Sequence, residues 1–283
     1  MEKLLLVDGS NLLFQMFYGM PNAIPDRFGR DIRGTIGFLG ALRKILIRVA
    51  PTHVAVLFDG ECNNPRLELD ADYKANRPDY SQMAEEETPF GQMAHIAAGL
   101  DFLGICHKET EDCETDDWIA GYVHRYGEDM QVVISSFDSD YFQLISETVT
   151  VLRYRGEASV VWTEETLQQK LGVRPCQYAG WKALTGDSAD NIMGVPHVGP
   201  KTAAALMGQF GTLEALLNGT ERIKRRCIRD AVEQSVERIQ KNDKLIRLDG
   251  NVTLPFALEA LAWKGRPFST TEVLQRIGLR GEE

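Results

Sequence analysis

The run KLLLVDG at residues 3–9 sets the fold class of this chain. Its apolar residues, 4–7, are continuous rather than alternating, which is typical of a strand that a parallel sheet buries on both faces. A second continuous run, VAVLF at residues 54–58, likewise ends at an aspartate. Because ligands of open parallel sheets bind beyond the carboxyl ends of the strands, Asp8 and Asp59 are predicted to face one common site.

The alternation of strand and helix patterns continues to residue 162. Helices are predicted over residues 12–18, 35–49, 90–103 and 116–126, and strands over residues 105–107, 131–135, 149–153 and 158–162, the last two as a hairpin. This order predicts an α/β fold with a mostly parallel central sheet flanked by helices. From Thr163 onward the pattern is almost wholly helical, so we place one domain at residues 1–162 and a helical module at residues 163–283.

Composition and charge narrow the class of protein. With 283 residues, 43% of them hydrophobic and 25% charged, the chain has the ordinary make-up of a soluble globular protein. Its formal charge of −10 argues against a generally basic nucleic-acid-binding surface. Five cysteines without a CxxC pair indicate neither a disulfide framework nor a zinc ribbon. Because we find neither a signal peptide nor an apolar run of about 20 residues, we expect a cytoplasmic protein with no membrane partner.

Acidic residues recur at three further places: ETDD at 114–117, DSD at 138–140 and DSAD at 187–190. With the two strand-end aspartates they make nine carboxylates, namely Asp8, Asp59, Glu114, Asp116, Asp117, Asp138, Asp140, Asp187 and Asp190. Carboxylates gathered on one rim repel one another and need cations between them. Oxygen ligands suit hard divalent cations, and Mg²⁺ held by carboxylates is typical of phosphate chemistry.

The acids at residues 114–117 also have a simpler interpretation, since acidic side chains stabilise the N-terminus of a helix. Five placements at equivalent structural positions favour a shared metal site over that interpretation. Two metal ions about 4 Å apart would bridge a scissile phosphate, activate water on one side and stabilise the leaving oxygen on the other. The five histidines are scattered along the chain and offer no competing catalytic centre.

Residues 194–202, GVPHVGPKT, resemble a helix–hairpin–helix turn. Such a turn presents backbone N–H groups and a helix N-terminus to a DNA phosphate, and Pro200 suits the first position of the following helix. A plain helix–helix connection is the alternative interpretation. Residues 61–89 form a long polar excursion interrupted by prolines, which is typical of a functional or mobile segment.

Six motifs carry a resemblance to a known family: LLLVDGSN, VLFDG, YKANRP, ETDDWIA, SSFDSDYFQLI and ALTGDSADNIMGVPHVGPKTA. From about residue 4 to about residue 216, the chain resembles the bacterial and phage 5′–3′ exonuclease/flap endonuclease branch of the 5′ nuclease superfamily, which includes the N-terminal nuclease domain of DNA polymerase I. The resemblance implies a stand-alone PIN-like 5′ nuclease domain with a helical arch near residues 61–90. It also implies that the helix–hairpin–helix (H3TH) module holds duplex DNA.

The resemblance further implies roles for individual residues. Asp8, Asp59, Glu114 and Asp116 would surround a first metal ion, Asp138, Asp140, Asp187 and Asp190 a second, with Asp117 supporting between them. The ions would be Mg²⁺, with Mn²⁺ as an alternative, and K⁺ would sit at the Gly-rich turn. Lys74, with Arg77 beside it, would stabilise charge on the scissile phosphate. DNA contacts are implied for Arg66, Tyr73, Lys74, Arg77, Gly194, Val195, Val198, Gly199, Lys201 and Thr202.

The predicted function is hydrolysis of DNA at 5′ ends, 5′ flaps, nicks and branched duplexes by a monomer. It would serve primer removal and repair beside a DNA polymerase and a ligase. A competing interpretation is a catalytically weak DNA-junction-binding relative. Gln15 favours it, since the family usually carries arginine there, whereas the complete set of acids argues against it. Pro65 and His197 also depart from the family pattern, and a small-molecule phosphohydrolase would leave the arch and the turn unexplained.

Overall fold

The computed structural model describes residues 2–60, 65–80 and 82–281. Its main sheet comprises β1 (Lys3–Asp8), β2 (His53–Phe58), β3 (Cys106–Glu109), β4 (Gln131–Ser135), β5 (Val149–Arg153) and β6 (Val160–Trp162). The strands follow the order β3-β2-β1-β4-β5-β6, with β1 to β5 parallel and β6 antiparallel to β5. The predicted α/β fold with a mostly parallel central sheet is confirmed, and the last two strands form the predicted hairpin.

Helices cover both faces of the sheet and dominate the chain after β6. They are α1 (Gly9–Gly19), α2 (Arg33–Val49), α3 (Pro65–Leu69), α4 (Met93–Leu103), α5 (Thr115–Tyr126), α6 (Glu164–Leu171), α7 (Pro175–Thr185), α8 (Pro200–Phe210), α9 (Leu213–Leu217), α10 (Arg226–Glu233), α11 (Val236–Ile246) and α12 (Thr270–Arg276). The helix predicted over residues 90–103 begins as a 3₁₀ turn at Pro89–Gln92 and becomes α-helical in α4. A short ladder also joins β7 (Gly186–Asp187) to β8 (Ile192–Met193). Among the described residues, no helix has the length and hydropathy that crossing a bilayer requires.

The central strand β1 is buried on both faces. Leu4 and Leu6 belong to a hydrophobic cluster that includes residues of α5 and α7, whereas Leu5 and Val7 belong to a second cluster with residues of α2 and α4. All four side chains are fully buried. Complete burial of one such leucine stabilises the fold by roughly 1.5–3 kcal/mol. Helices on both faces explain why this strand is a continuous apolar run rather than an alternating one.

Asp8 joins the sheet to the first helix. It is the last residue of β1 and the N-cap of α1, where its Oδ1 accepts a hydrogen bond from the backbone N–H of Asn11 at 3.0 Å. Glycine is needed at the next position, because a Cβ on Gly9 would lie 2.5 Å from the ring of Phe58. The close packing of this turn against β2 fixes the Asp8 carboxylate at the carboxyl end of the sheet.

The chain after α11 returns to the α/β layer. The backbone carbonyl of Phe256 accepts a hydrogen bond from Tyr122 Oη of α5 at 3.0 Å, and α12 packs against α2 and α4. Val273 and Leu274 of α12 are buried in the same cluster as Leu5. This returning segment, which lies within residues 163–283 of the predicted helical module, therefore packs against α2 and α4, the helices that share a hydrophobic cluster with β1.

Candidate active site

The carboxyl ends of β1, β2 and β4 open onto a cleft of about 580 Å³. Five of the nine predicted acids line this cleft, namely Asp8, Asp59, Glu114, Asp116 and Asp138. Lys74 and Arg77 line it as well, together with the aromatic residues Phe14, Tyr80 and Phe90. Acids that are up to 130 residues apart in sequence thus converge at one edge of the sheet, as parallel strands require.

Asp8 is buried more deeply than Asp59 and Asp138, the cleft-lining aspartates that follow β2 and β4. Its Oδ2 accepts hydrogen bonds from Ser136 Oγ at 2.8 Å and from Tyr141 Oη at 3.3 Å. Burial, together with the negative charge of Asp59, raises the pKa of Asp8 to about 7. The hydrogen bonds from Asn11 and Ser136 favour the charged form of this carboxylate, and a cation beside it would favour that form further.

The loop after β4 is organised by the Ser136 hydroxyl. Its Oγ accepts a hydrogen bond from the backbone N–H of Asp138 at 2.9 Å, and Asp138 Oδ1 accepts one from the backbone N–H of Asp140 at 2.8 Å. The carboxylate of Asp59 is fixed in a similar way, since its Oδ1 accepts a hydrogen bond from the backbone N–H of Thr115 at 3.0 Å. Neutral donors therefore orient the acids that follow β2 and β4.

Asp116 provides a test of whether the residues fit a metal ion. Its Oδ1 is buried and accepts no hydrogen bond from any described residue, and the nearest cationic nitrogen of Arg66 lies 3.6 Å away. Burial raises the pKa of Asp116 well above its ordinary range, against the opposing charge of Arg66. An unsatisfied carboxylate oxygen among other carboxylates fits a hard divalent cation with oxygen ligands.

Three basic residues from residues 66–77 reach the acids. Arg66 Nη1 donates to Glu114 Oε2 at 2.6 Å, and Lys74 Nζ donates to the other oxygen of Glu114. Arg77 Nη2 donates to Asp190 Oδ1 at 2.8 Å. Burial opposes the charge on Lys74, but Glu114 raises the pKa of Lys74 above its ordinary value.

Lys74 is held in place by its backbone. Its N–H donates to the carbonyl of Asp190 at 3.0 Å, and its φ of 59° lies in the left-handed region. Two side-chain amides tie the same segments together, because Asn76 Nδ2 donates to Ser188 O at 2.7 Å and Asn191 Nδ2 donates to Asp72 O at 2.8 Å. The segment that carries Lys74 and Arg77 is therefore fastened to the acidic loop at residues 187–191.

Two residues that were expected to contact DNA lie beneath the surface. Arg66 is only 6% exposed and forms a two-pronged pair with Asp117, and Tyr73 is 4% exposed with its Oη donating to Glu114 Oε2 at 3.3 Å. Asp117 also accepts a hydrogen bond from the backbone N–H of Asp249 at 2.8 Å, so its oxygens are already engaged. The geometry gives Arg66, Tyr73 and Asp117 a supporting position behind Glu114.

The remaining acids form a second group. Carboxylate oxygens of Asp140, Asp187 and Asp190 all lie within 4.8 Å of one another. Lys182 Nζ donates to Asp140 and lies 2.5 Å from Asp187 Oδ2. Burial raises the pKa of Asp140 to about 7 despite this cation. Burial would also raise the pKa of Asp187, but the charge of Lys182 holds it below its ordinary value.

Lys182 was not identified from the sequence. It lies in α7 and is only 5% exposed. A signal was present, because Ala179 and Ala183 place this lysine on an apolar face of the helix, and lysine is almost never fully buried unless it is paired. A lysine on the apolar stripe of a helix, five residues before Asp187, therefore predicts that a buried carboxylate pairs with it.

Helix α8 begins at the predicted position in the Gly-rich turn. Gly199 is the N-cap of α8 and Pro200 occupies the first helical position. Val195 and Val198 are each 5% exposed, so their side chains face the core rather than solvent. Lys201 is exposed and Thr202 is half-buried. His197 has a φ of 64°, a conformation that favours glycine.

Gly194, the first residue of this turn, packs closely against the backbone of Thr185. A Cβ on Gly194 would lie 2.3 Å from the carbonyl oxygen of Thr185, so the two segments approach too closely for a side chain. The carbonyl of Gly194 accepts a hydrogen bond from Arg238 Nη1 at 3.3 Å. Backbone groups of the turn and the side chain of Lys201 are thus the parts that a phosphate could reach.

Gln15 has its own partner in the fold. Its Nε2 donates to the backbone carbonyl of Tyr154, just beyond β5, at 3.0 Å. The side chain therefore fastens α1 to the sheet. Pro65, the other departure near the arch, is the first residue of α3, and residues 61–64 and 81 of the predicted arch lie outside the described residues.

This chain belongs to the 5′–3′ exonuclease family. The model of the N-terminal, resolvase-like domain of 5′–3′ exonucleases matches residues 3–172, and that of the C-terminal domain with a SAM fold matches residues 173–268. The family predicted from the six motifs is confirmed.

Among particular proteins, the chain is similar to DNA polymerase I of Streptococcus pneumoniae, with 33% identity over 272 residues that cover 93% of this chain and 30% of the polymerase. DNA polymerase I of Rhizobium leguminosarum is 34% identical over 271 residues, which cover 92% of this chain and 26% of that protein. The chain thus spans less than a third of the curated relatives it matches.

Two groups of solved structures share the fold. The T5 D15 protein, co-crystallized with metal ions, has a TM-score of 0.72 and 22% identity, and the alignment covers 98% of this chain and 97% of that one. The catalytic core of Rad2 in complex with a DNA substrate has a TM-score of 0.58 and 17% identity, with coverage of 98% and 93%. These likenesses confirm the combination of an α/β layer and a helical C-terminal part.

Proposed function

We propose that this chain is a Mg²⁺-dependent, structure-specific nuclease that cleaves DNA at 5′ ends and at the bases of 5′ flaps. The observation that carries the proposal is the convergence of the carboxylates in one cleft, with the buried Oδ1 of Asp116 left without a hydrogen bond from any described residue. Membership of the 5′–3′ exonuclease family supplies the reaction class. We assign the metal ligands to residues 1–162, together with Asp187 and Asp190 from the helical module at residues 163–283.

The metal centre would use the acids in two sets. Asp8, Asp59, Glu114 and Asp116 would hold one ion, and Asp138, Asp140, Asp187 and Asp190 a second. When bound, Mg²⁺ stabilises the charge that develops on phosphate oxygens and lowers the pKa of coordinated water. Mn²⁺ has the same preference for oxygen ligands and would serve as a substitute.

The basic residues of the cleft would act on the substrate phosphate. Lys74 Nζ and Arg77 Nη2 bind Glu114 and Asp190 in the structure, at the mouth of the cleft. A phosphate anion would offer each cation an alternative partner, and charge-assisted hydrogen bonds to its oxygens are strong. Lys74 would thereby stabilise the negative charge of the transition state, and Arg77 would orient the phosphate.

The cleft also has an aromatic wall. The rings of Phe14 and Phe90 lie 5.6 Å apart and those of Phe14 and Tyr80 lie 6.0 Å apart, in edge-to-face arrangements. Base–aromatic stacking holds single-stranded nucleic acid without selecting its sequence. A wall of rings beside the acids therefore favours a single-stranded 5′ end over a small-molecule phosphate ester.

Duplex DNA would lie against the helical part of the chain. The N-terminus of α8, with the turn before it and the exposed Lys201, presents donors that suit a phosphate. K⁺ would bind backbone carbonyls of that turn. Acting in the cytoplasm as a monomer, the chain would remove primers and serve repair beside a DNA polymerase and a ligase.

Single-turnover cleavage of a labelled 5′-flap duplex tests this proposal. We expect Mg²⁺-dependent cutting at the flap base that EDTA abolishes and that Asp138→Asn reduces to background. Asp70→Asn is the matched control, because Asp70 pairs with Lys241 on the surface and does not line the cleft. Tight, metal-independent binding without cutting by the unaltered chain would instead identify a junction-binding protein.

A further inference from the structure

Lys182 is a cation in the interior of the acidic site. Its residue is only 5% exposed, and the neighbouring Ala179 and Ala183 on the same helix are buried as well. Helix α7 packs against α8 and α11, so the position of this ammonium is set by the core of the helical part.

Lys182 contacts two of the three acids in the second group, which consists of Asp140, Asp187 and Asp190. Its Nζ donates to Asp140 Oδ1 and lies 2.5 Å from Asp187 Oδ2. These are oxygens of the carboxylates that approach within 4.8 Å of one another and of Asp190. The ammonium therefore lies where the carboxylates of the second group would otherwise share a divalent cation.

The aspartates at the strand ends differ in this respect. Within the described ranges, no lysine or arginine nitrogen lies within 4 Å of a carboxylate oxygen of Asp8, Asp59 or Asp138. Their hydrogen bonds come from backbone N–H groups and hydroxyls. In the described part of the chain, these three aspartates have no ammonium or guanidinium to displace, whereas Asp140 and Asp187 already share the Lys182 ammonium.

We propose that the Lys182 ammonium is a built-in counterion of the Asp140–Asp187–Asp190 group, which a second divalent cation must displace to bind. Two cations in one buried space repel, and the ammonium can leave only by giving up both carboxylates. The free chain would consequently bind one divalent cation tightly and the second weakly. DNA phosphates add negative charge at the cleft, so the second ion would bind well only when substrate is present. This inference rests on the proposed metal centre.

Counting bound Mn²⁺ on the DNA-free full chain by electron paramagnetic resonance tests the inference without any cleavage assay. In the unaltered chain we expect one tight ion and a second that binds at least about tenfold more weakly, which corresponds to about 1.4 kcal/mol. In Lys182→Met the second ion should bind on the order of tenfold more tightly than in the unaltered chain. Lys182→Gln serves as a second variant that retains a polar side chain.

The matched control is Lys241→Met. It removes the same unit of positive charge from an exposed pair with Asp70, where Nζ and Oδ2 lie 2.6 Å apart. A general electrostatic effect would strengthen Mn²⁺ binding equally in Lys241→Met and Lys182→Met, and that result would overturn the inference. Circular dichroism establishes that each variant is folded before its ions are counted.

A second measurement uses the unaltered chain, so that it does not depend on any variant folding. The ammonium protons of a buried lysine exchange slowly and are visible in ¹⁵N-resolved spectra. Titration with Mg²⁺ should perturb the Lys182 signal only in the weak second phase of binding. Perturbation in the first, tight phase would overturn the inference.

Other outcomes separate this inference from the proposed function. Two ions of equal affinity in the unaltered chain, with Mg²⁺-dependent cleavage intact, would overturn the counterion role and leave the nuclease proposal standing. No Mn²⁺ binding to any form of the chain would overturn both.

Discussion

The guanidinium of Arg66 and the carboxylate of Asp117 form a buried two-pronged pair, with Nη2–Oδ1 at 2.8 Å and Nη1–Oδ2 at 2.9 Å. Arg66 Nε also donates to the backbone carbonyl of Leu245 at 3.0 Å. One side chain therefore connects α3, α5 and α11 beneath the acidic cleft. This arrangement makes Arg66 a structural support of the site.

Arg66→Met should destabilise the fold strongly. Removing the guanidinium leaves the buried Asp117 carboxylate without its cation, and breaking such a pair costs about 3–5 kcal/mol. Urea unfolding measures the free energy of unfolding. Arg247→Met is the control, because Arg247 is 56% exposed in its pair with Asp243 and such pairs contribute about 0.2–1 kcal/mol. Equal losses in the two variants would contradict the supporting role.

Lys74→Met should slow the chemical step. Loss of the ammonium removes a preorganised donor to the phosphate, which typically lowers the rate by about 10²–10³-fold. Single-turnover cleavage of a 5′-flap duplex at saturating enzyme measures this rate. Lys108→Met provides the comparison, since Lys108 lies away from the cleft in an exposed pair with Glu111. An unchanged rate in Lys74→Met would remove Lys74 from the mechanism.

Two glycines near the Gly-rich turn should respond in opposite directions. Gly194→Ala places a Cβ 2.3 Å from Thr185 O and should destabilise the fold by about 1–3 kcal/mol or more. Gly208→Ala adds a methyl group within α8 where nothing lies within 4 Å, and it should stabilise the helix by about 0.5–1 kcal/mol. Thermal unfolding of both variants checks the signs, and an unchanged or raised melting temperature in Gly194→Ala would refute the close approach.

Metal-free protein should lose stability as the pH rises toward neutrality. The pKa of Asp8 is about 7 in the folded chain and 3.8 in the reference state, because of burial and the nearby Asp59. The folded state therefore binds more protons than the unfolded state between these values, so this carboxyl favours folding at low pH and the benefit is lost through that window. The expected loss is on the order of a few kcal/mol.

Asp8→Asn isolates this contribution from other titrating groups. The amide mimics the protonated carboxyl, so the variant should show a smaller decline in the free energy of unfolding between about pH 4.5 and about pH 7.5, a range that covers most of the window between the two pKa values. Urea unfolding in EDTA measures the difference, and saturating Mg²⁺ should offset the decline in the unaltered chain. Identical pH dependence of the two proteins in EDTA would argue against the raised pKa.

The sequence predicted the sheet well because its strands are buried on both faces. The continuous runs around Leu5 and Val56 are characteristic of parallel strands, and the aspartates that follow them necessarily share one edge. Strand periodicity therefore located Asp8, Asp59 and Asp138 without knowledge of any contact.

The burial of the basic side chains could not be predicted in the same way. Residue type establishes that Arg66 and Lys182 are charged, but not whether their charge faces water or a carboxylate. Their burial depends on how residues 65–77 and α7 pack against the acids, which is a long-range property. The same holds for Tyr73, for which the resemblance implies a DNA contact and whose hydroxyl donates a hydrogen bond to Glu114.

The return of the chain to the α/β layer has a consequence for its synthesis. Phe268, Val273 and Leu279 are buried in the cluster that α2 and α4 form with β1. A ribosome delivers α2 and α4 long before these residues, and domains fold as units once their parts have emerged. The apolar side chains of α2 and α4 that pack against residues 268–279 consequently stay uncovered until those residues leave the exit tunnel, and a chaperone would protect them during that interval.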